Sequence, residues 1–144
     1  MRTLATFVIA ALIGAFVPVA AGATPAGAAY PRCDSFHDFP TSTSLRVREP
    51  VVSTTNHSTA CTLRLHDNTF GVAALRFALD SCHRAGLGVS GVYDQSVYNV
   101  IVLLQRVARI DDDGIYGPET RRYAVDMPLV DRDGDWAGGC RTFA

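Results

Sequence analysis

The sequence contains no lysine, and its charge is close to balanced. All 13 basic residues are arginines, and they stand against 14 acidic residues. Without Arg2, which lies in an N-terminal segment that we expect to be removed, 12 basic residues face the same 14 acidic ones. A nucleic-acid-binding domain is expected to carry a basic face, so this balance argues against nucleic acid as a partner. The exclusive use of arginine indicates a GC-rich bacterial genome, because arginine codons are GC-rich.

Signatures of catalysis are also missing. The sequence has no Gly-x-Ser-x-Gly, no His-Glu-x-x-His and no cysteine and histidine signature of a known hydrolase class. A hydrolase needs a nucleophile or a metal-bound water with a base within reach. The four histidines, His37, His57, His66 and His83, are scattered along the chain. We therefore expect no enzymatic activity.

Spacings typical of metal sites are weak as well. No two cysteines are spaced as Cys-x-x-Cys, which disfavours zinc. The acidic residues within 111–113 and 131–135 invite a calcium interpretation, since calcium takes several carboxylate ligands. The first cluster is better explained as a turn in which Asp113 bonds its own backbone, and the second has Thr142 where a calcium-binding loop carries a glutamate. We expect solvated turns and no metal or other cofactor.

The N-terminal apolar run is too short to span a membrane. It covers residues 4–17, whereas a membrane-spanning helix needs about 20 apolar residues. Arg2 precedes the run, and small residues follow it at 21–23 and 26–28. This order is typical of a secretory signal peptide. We expect residues 1–28 to be removed and the mature protein to be secreted, extracellular or associated with the cell wall, without stable membrane insertion.

All four cysteines lie in the expected mature chain. They are Cys33, Cys61, Cys82 and Cys140. An even number of cysteines in a short exported chain is typical of disulfide bonds, so two bonds are predicted. Three connectivities are possible, and the spacing leaves all three open.

The first part of the mature chain, residues 29–60, is rich in Ser, Thr, Pro and His. This composition predicts an extended, irregular arm. Its best ordered piece should be residues 44–52, where Leu45 and Val47 alternate with arginines as in a short surface strand. Pro50 is expected to interrupt or end this strand.

Residues 61–130 form the predicted domain, and residues 131–144 form a C-terminal tail. Apolar residues at helical spacing predict helices over about 72–83 and 95–109. Pro118 after Gly117, followed by Glu119, predicts a third and shorter helix over about 118–126. Phe77 should point away from the inward face of the first helix and be covered by the arm, and Tyr123 should point inward from the third. The second helix has the strongest periodicity, with inward positions predicted at Val97, Val100, Ile101, Leu104, Val107 and Ala108.

Two segments ahead of the second and third helices repeat each other. The first repeat is residues 90–97 (Ser-Gly-Val-Tyr-Asp-Gln-Ser-Val), and it aligns with the second repeat, residues 113–120 (Asp-Gly-Ile-Tyr-Gly-Pro-Glu-Thr). A constant offset between such segments indicates an internal repeat. In each repeat the glycine permits a positive φ, and the tyrosine two positions later can fold under the turn.

The second repeat resembles the bacterial peptidoglycan-binding-like domain, a three-helix module of cell-wall hydrolases and of secreted stand-alone proteins. Its residues match every position of that family's signature, Asp-Gly-x-aromatic-Gly-Pro-x-Thr. Leu104 and Gln105 stand where the family has an apolar residue followed by glutamine. The first repeat departs from the signature at Ser90, Asp94 and Val97.

The resemblance extends to the first helix and covers about residues 61–126. Val72, Leu75 and Leu79 match the family pattern, with Arg76 in place of glutamine. It implies an all-α, three-helix fold and non-covalent binding of cell-wall peptidoglycan by a monomer. The arm and the tail are similar to extensions of secreted actinobacterial members, which implies the disulfides Cys61–Cys82 and Cys33–Cys140.

The binding residues are expected in and beside the repeats. Tyr93 and Tyr116 either pack under their turns as core or offer part of each ring to a sugar or peptide. Arg121 and Arg122 could pair with stem-peptide carboxylates, or form a solvated helix surface. The full expected set is Tyr93, Tyr98, Asp113, Tyr116, Arg121 and Arg122. Alternatives are a secreted module that kept the fold and binds another protein, and a small cell-wall hydrolase or inhibitor.

Overall fold

The fold combines a four-stranded antiparallel sheet with three helices. A computed structural model describes residues 29–143, so the expected signal peptide, residues 1–28, lies outside the described residues. The elements in chain order are β1 (Ser35–Pro40), β2 (Arg46–Val51), α1 (Phe70–His83), α2 (Gln95–Ala108), α3 (Pro118–Tyr123), β3 (Met127–Val130) and β4 (Trp136–Arg141). The strands lie in the order β1-β2-β3-β4. The predicted all-α fold is therefore wrong, and the protein is mixed α and β.

The predicted arm is not irregular, because it forms half of the sheet. β1 and β2 pair as an antiparallel hairpin from Ser35 opposite Val51 to Pro40 opposite Arg46. The strand expected over residues 44–52 is confirmed as β2. Pro50 lies within this strand, beyond the two residues of β2 that pair with β3, so its missing N–H leaves no gap in that ladder.

The sheet is completed by strands from the other end of the chain. β2 pairs with β3 through Arg46 and Val47, and β3 pairs with β4, which lies in the predicted tail. The β2–β3 pairing joins segments far apart in sequence, and local patterning carries no information about such partners. β4 also contains Gly138 and Gly139, which are unfavourable in strands and hide its signal.

The three predicted helices are present with shifted ends. α1 begins at Phe70 because the Thr69 side chain accepts a hydrogen bond from the Val72 N–H and caps the helix. α2 begins at Gln95, as predicted, and ends at Ala108. α3 begins at Pro118 as predicted but ends at Tyr123, three residues earlier than expected.

Two side chains predicted to point inward face solvent instead. Tyr123 is 48% exposed and Val107 is 75% exposed. Tyr123 is the last residue of α3, so no further helical turn shields it. The buried residues of α2 are Val97, Ile101 and Gln105, a narrower face than the periodicity predicts, because α1 packs mainly on the sheet.

The core lies between α1 and the sheet and extends under the two repeats. Leu75 and Leu79 of α1 are fully buried, as are Val47 of β2 and Met127 of β3. The expectation that the arm covers Phe77 is confirmed, since the Arg48 guanidinium of β2 lies 5.7 Å from its ring centroid. The core therefore needs the hairpin as well as the helices.

Two disulfides are present, but their pairing differs from that implied by the resemblance. Cys33 is bonded to Cys61 and Cys82 to Cys140, so the expected pairs Cys61–Cys82 and Cys33–Cys140 are wrong. The first bond closes the segment that contains the β1–β2 hairpin, and the second attaches β4 to the last turn of α1. Each bond therefore fastens a part of the sheet, which the expected fold did not contain.

Candidate functional site

The two repeats are positioned by one lead-in segment, residues 61–69, which lies against both. Leu63 exchanges two backbone hydrogen bonds with Tyr116, at 2.8 and 2.9 Å. The Tyr93 N–H donates to the Asp67 carbonyl at 2.8 Å, and the His66 N–H donates to the Tyr93 carbonyl at 2.9 Å. The lead-in segment thus fixes the aromatic residue of each repeat.

The second repeat is held by the buried side chain of Gln105. Its amide nitrogen, which carries two hydrogens, lies within hydrogen-bond distance of three acceptors: Asp113 Oδ1 at 2.9 Å, the Ile115 carbonyl at 3.1 Å and Thr120 Oγ1 at 3.0 Å. Its amide oxygen accepts from the Gly114 N–H at 2.9 Å. One neutral side chain from α2 therefore fixes the turn, the strand-like residue after it and the first turn of α3.

Gly114 is required by this arrangement. Its φ is +70°, and a Cβ at this position would lie 2.1 Å from the ring of Tyr98. The positive φ predicted for the second repeat is therefore confirmed. The corresponding Gly91 does not have a positive φ; its small size is needed because a Cβ would lie 3.0 Å from Asn68 Oδ1.

The first repeat is held by a charged side chain, Arg76 of α1, which is also buried. The guanidinium donates to the carbonyls of Gly88 at 2.9 Å and Val92 at 3.1 Å, to the Leu87 carbonyl, and to Asp94 Oδ2 at 3.0 Å. Asp94 Oδ1 accepts from the N–H groups of Ser96 and Val97 and caps α2. The pKa of Asp94 is lowered, mainly by the hydrogen bond from the Val97 N–H and next by the hydrogen bond from the Arg76 guanidinium.

Both repeat tyrosines are core residues, which matches the first of their two interpretations. Tyr93 and Tyr116 are fully buried, and burial raises the pKa of each well above its usual value. The Tyr93 hydroxyl donates to the Gly114 carbonyl at 2.8 Å and so links the two repeats. The Tyr116 hydroxyl has no hydrogen-bond partner among the described residues. Neither ring is open to a ligand.

Two other expected binding residues, Asp113 and Tyr98, lie at the start of the second repeat: Asp113 is its first residue and Tyr98 packs against its second. Asp113 is exposed, and its Oδ1 accepts from the Ile115 N–H at 2.9 Å as well as from Gln105. The turn chemistry predicted for Asp113 is thus confirmed. Tyr98 is half-buried and packs its ring on Gly114.

The two expected arginines have internal partners. Arg121 forms an ion pair with the buried Glu49 of β2, and its guanidinium lies 4.1 Å from the ring centroid of Phe143. Arg122 is exposed and lies over the ring of its neighbour Tyr123, at 5.2 Å. Arg121 thus connects α3 to the hairpin.

An open groove of about 420 Å³ lies over the second repeat; we call it the second-repeat groove. Its floor contains Ile115, Gly117 and Thr120, together with the buried Gln105. The exposed side chains on its walls are Tyr30, Arg64, Asp111, Asp113 and Glu119. An aromatic ring, a guanidinium and three carboxylates thus converge on a volume in the range of small-ligand sites.

Sequence reasoning found only Asp113 among these five wall residues. Asp111 lies two residues before the motif and Glu119 occupies a variable position within it, and this closeness was the available signal. Tyr30 and Arg64 arrive through a parallel bridge between Arg32 and Thr62, in which the Thr62 N–H donates to the Pro31 carbonyl at 2.8 Å. No periodic pattern marks a bridge of this kind.

The histidines and acidic residues form no cluster of ligating groups. Within residues 29–143, no three His, Cys, Asp or Glu side chains are arranged to hold a metal ion. His37 stacks on His57 with ring centroids 3.7 Å apart, and His83 Nε2 accepts from the Asp126 N–H at 3.0 Å. No helix in this range has the length and apolar character needed to cross a membrane.

Comparison of the chain with protein-family models, with curated proteins and with solved structures found no match.

Proposed function

We propose that this protein is a secreted, non-catalytic module that binds bacterial cell-wall peptidoglycan through the second-repeat groove. The observation that supports this function best is the position of the groove over residues 113–120, the segment that resembles the peptidoglycan-binding-like signature. The two disulfides are typical of proteins that fold in an oxidising environment and fit export.

The walls of the groove suit the mixed chemistry of peptidoglycan, which combines sugar rings with short peptides. Tyr30 is 52% exposed and offers a ring face to the apolar side of a sugar. Asp111 and Glu119 can accept hydrogen bonds from hydroxyl, amide or ammonium groups. The Arg64 guanidinium can donate to a peptide carboxylate in the geometry that such pairs prefer.

The floor of the groove is preorganised. Gln105 satisfies four groups of the second repeat, so the backbone under the ligand needs no rearrangement on binding. Preorganisation lowers the entropic cost of association. The groove is open and its wall side chains are exposed to solvent, so a single module should bind with modest affinity.

A sedimentation assay tests this proposal. Mature protein is incubated with insoluble cell walls from several bacteria, the walls are pelleted, and the bound fraction is measured over a range of protein concentrations. We expect saturable binding, weakened about tenfold by Tyr30→Ala through loss of the ring contact. The matched control is Tyr123→Ala, which removes an equally exposed tyrosine outside the groove and should bind like the wild type.

Two results would overturn the proposal. The first is wild-type protein that stays in the supernatant with every wall type. The second is release of soluble wall fragments, which would indicate a hydrolase.

A second candidate function, binding to another secreted protein, is favoured by the outer face of α2. Leu103 and Val107 lie one turn apart on this helix and both are exposed. Exposed apolar side chains at this spacing are typical of helix faces that meet a partner. Binding to walls that keep their proteins but not to walls stripped of protein, together with loss of that binding in Leu103→Ser, would favour this second candidate.

A further inference from the structure

A second groove, lined mainly by aromatic and apolar side chains, lies between α1 and the ends of the sheet. We call it the aromatic groove; it has a volume of about 360 Å³, and its walls include Phe36, Phe77, Val89 and Trp136. Trp136 is 51% exposed, and Val89 and Phe36 are exposed as well. It shares no lining residue with the second-repeat groove. Exposed aromatic rings gathered in one groove are typical of binding sites.

The base of the aromatic groove is fixed by Arg48. Its guanidinium makes two hydrogen bonds to the Asp38 carboxylate, both 2.8 Å, and lies 4.6 Å from the ring centroid of Phe36. Gly134 closes over it, with φ +88°, and a Cβ at that position would lie 2.6 Å from the guanidinium. Phe36 and Phe77 therefore contact one guanidinium, which is bonded to Asp38 and covered by Gly134.

The charges around the groove are largely neutralised by internal pairs. Arg48 is paired with Asp38 at the base. An adjoining groove of about 460 Å³, which shares Ala73 and Val89 with the first, contains the pair Arg32 and Asp34. Asp135 is the remaining charged residue of the aromatic groove, and no ion pair to it occurs within the described residues. A single hydrogen-bond acceptor thus stands beside aromatic faces without an accompanying free cation.

We propose that the aromatic groove binds a neutral oligosaccharide strand. The apolar face of a sugar ring can stack on Trp136 and Phe36, and its hydroxyl groups can donate to the Asp135 carboxylate. The adjoining groove extends the surface with the polar side chains of Asn68 and Ser90, which suits a second sugar unit of the same strand. The proposal rests on this groove alone and does not require the second-repeat groove to bind anything.

The charge pattern distinguishes this ligand from two others. An anionic polymer would meet Asp135 with like charge and would find no unpaired guanidinium in the aromatic groove. A lipid surface attracts proteins through clustered basic residues, whereas both arginines here are already paired with carboxylates. A neutral chain of hydroxyl-bearing rings satisfies the aromatic faces and the single acceptor together.

Trp136 provides a direct test, because it is the single tryptophan of the chain. Purified mature protein is titrated with a hexamer of N-acetylglucosamine, a hexamer of glucose and an anionic hexamer of galacturonate. Tryptophan emission and binding heat are both recorded. We expect a saturable change in emission with at least one neutral hexamer, and none with the anionic one.

Matched variants locate the site. Trp136→Ala should weaken the binding of the neutral hexamer about tenfold by calorimetry, and Asp135→Asn should weaken it several-fold. Tyr123→Ala, an exposed aromatic outside both grooves, should bind like the wild type. Melting curves of each variant identify any loss of folding, and Asp135→Asn keeps the test decisive if Trp136→Ala unfolds.

Three results would overturn this inference. The first is the absence of any emission change or binding heat with either neutral hexamer up to millimolar concentrations. The second is binding by both Asp135→Asn and Trp136→Ala that equals binding by the wild type. The third is an emission change that depends on protein concentration alone. The last would assign the groove to contact between two copies of the chain. Failure of wall binding in the sedimentation assay with retained hexamer binding would remove only the proposed function.

Discussion

The two repeats align residue by residue, yet they are held by different chemistry. The second is fixed by the neutral amide of Gln105, which meets both donors and acceptors of the turn. The first is fixed by the Arg76 guanidinium, which can only donate, and its partners are three carbonyls and a carboxylate. In both repeats a tyrosine is buried and a helix follows, but two different sets of side-chain bonds hold the two segments.

The difference also bears on the groove that lies over the end of the second repeat. Asp94 of the first repeat corresponds to Gly117 of the second. Asp94 caps α2 and pairs with Arg76, whereas Gly117 begins α3 without a side-chain cap and forms part of the groove floor. The Asp94 side chain fills the space at this position of the first repeat. Gly117 has no side chain, so the matching surface of the second repeat stays open. We propose that Asp94 has a structural role in the first repeat and that the second repeat is the one that binds the cell wall.

The largest effect should come from the two glycines. Gly114→Ala should lower the free energy of unfolding by more than about 3 kcal/mol, because its Cβ would enter the Tyr98 ring and its φ is positive. Gly91→Ala should cost about 1 kcal/mol, since its Cβ would meet a side-chain oxygen that can shift. Urea unfolding of both variants measures the difference, and equal costs would contradict the distinct roles assigned to these glycines.

The next effect concerns the neutral amide that holds the second repeat. Gln105→Leu keeps a similar volume but leaves the buried Gly114 N–H without its partner, at a cost of about 2 kcal/mol. The control is Gln95→Leu on the exposed face of the same helix, which should stay within about 0.5 kcal/mol of the wild type. Denaturant midpoints check both, and an equally mild loss in the two variants would show that Gln105 does not hold the turn.

A smaller effect is expected from pH on the first repeat. Asp94 has a lowered pKa, so its contribution is fully present above its unfolded pKa of about 3.9 and is lost as the pH falls through the folded value. Because the Asp94 side chain is 45% exposed, this contribution should stay below about 1 kcal/mol. Wild type and Asp94→Asn are compared by urea unfolding from pH 7 to pH 3. Their stability difference should shrink below pH 4, and a difference independent of pH would contradict the charged pair.

An effect of similar size separates the two buried tyrosines. Tyr93→Phe removes the hydrogen bond to the Gly114 carbonyl and should cost about 1 kcal/mol. Tyr116→Phe removes a hydroxyl that has no partner among the described residues, so its stability should be equal to or above that of the wild type. Thermal unfolding of the two variants side by side is sufficient, and the reverse order of stability would contradict the assigned contacts.

Features encoded within a few residues were predictable from the sequence. The apolar spacing of Val97 and Ile101 predicts α2, and Gly117 followed by Pro118 predicts the start of α3. The complete sheet was not predictable, because β1, β2 and β3 each contain a proline and the pairing of β2 with β3, which joins the two hairpins, brings together residues far apart in sequence. The disulfide pairing depends on the sheet, since Cys33–Cys61 closes the hairpin that the resemblance lacks.

The candidate site also contains residues that the local sequence predicts and residues that it does not. Asp113 and its turn follow from the local Asp-Gly sequence, and the structure contains that turn. Tyr30 and Arg64 reach the groove through pairing of the arm with the lead-in segment, which no local pattern encodes. Arg121 was expected at the surface for a ligand, but its partner Glu49 lies on a strand that was not expected to pack there.

The different roles of the two repeats are tested most directly by measuring the wall binding of variants at matched positions. Glu119 in the second repeat corresponds to Ser96 in the first, and both side chains are exposed at the beginning of a helix. Binding to purified cell walls is measured by sedimentation for Glu119→Ala, Ser96→Ala and the wild type. We expect weaker binding by Glu119→Ala and unchanged binding by Ser96→Ala; equal binding by all three proteins would contradict the assignment of the second repeat as the repeat that binds the wall.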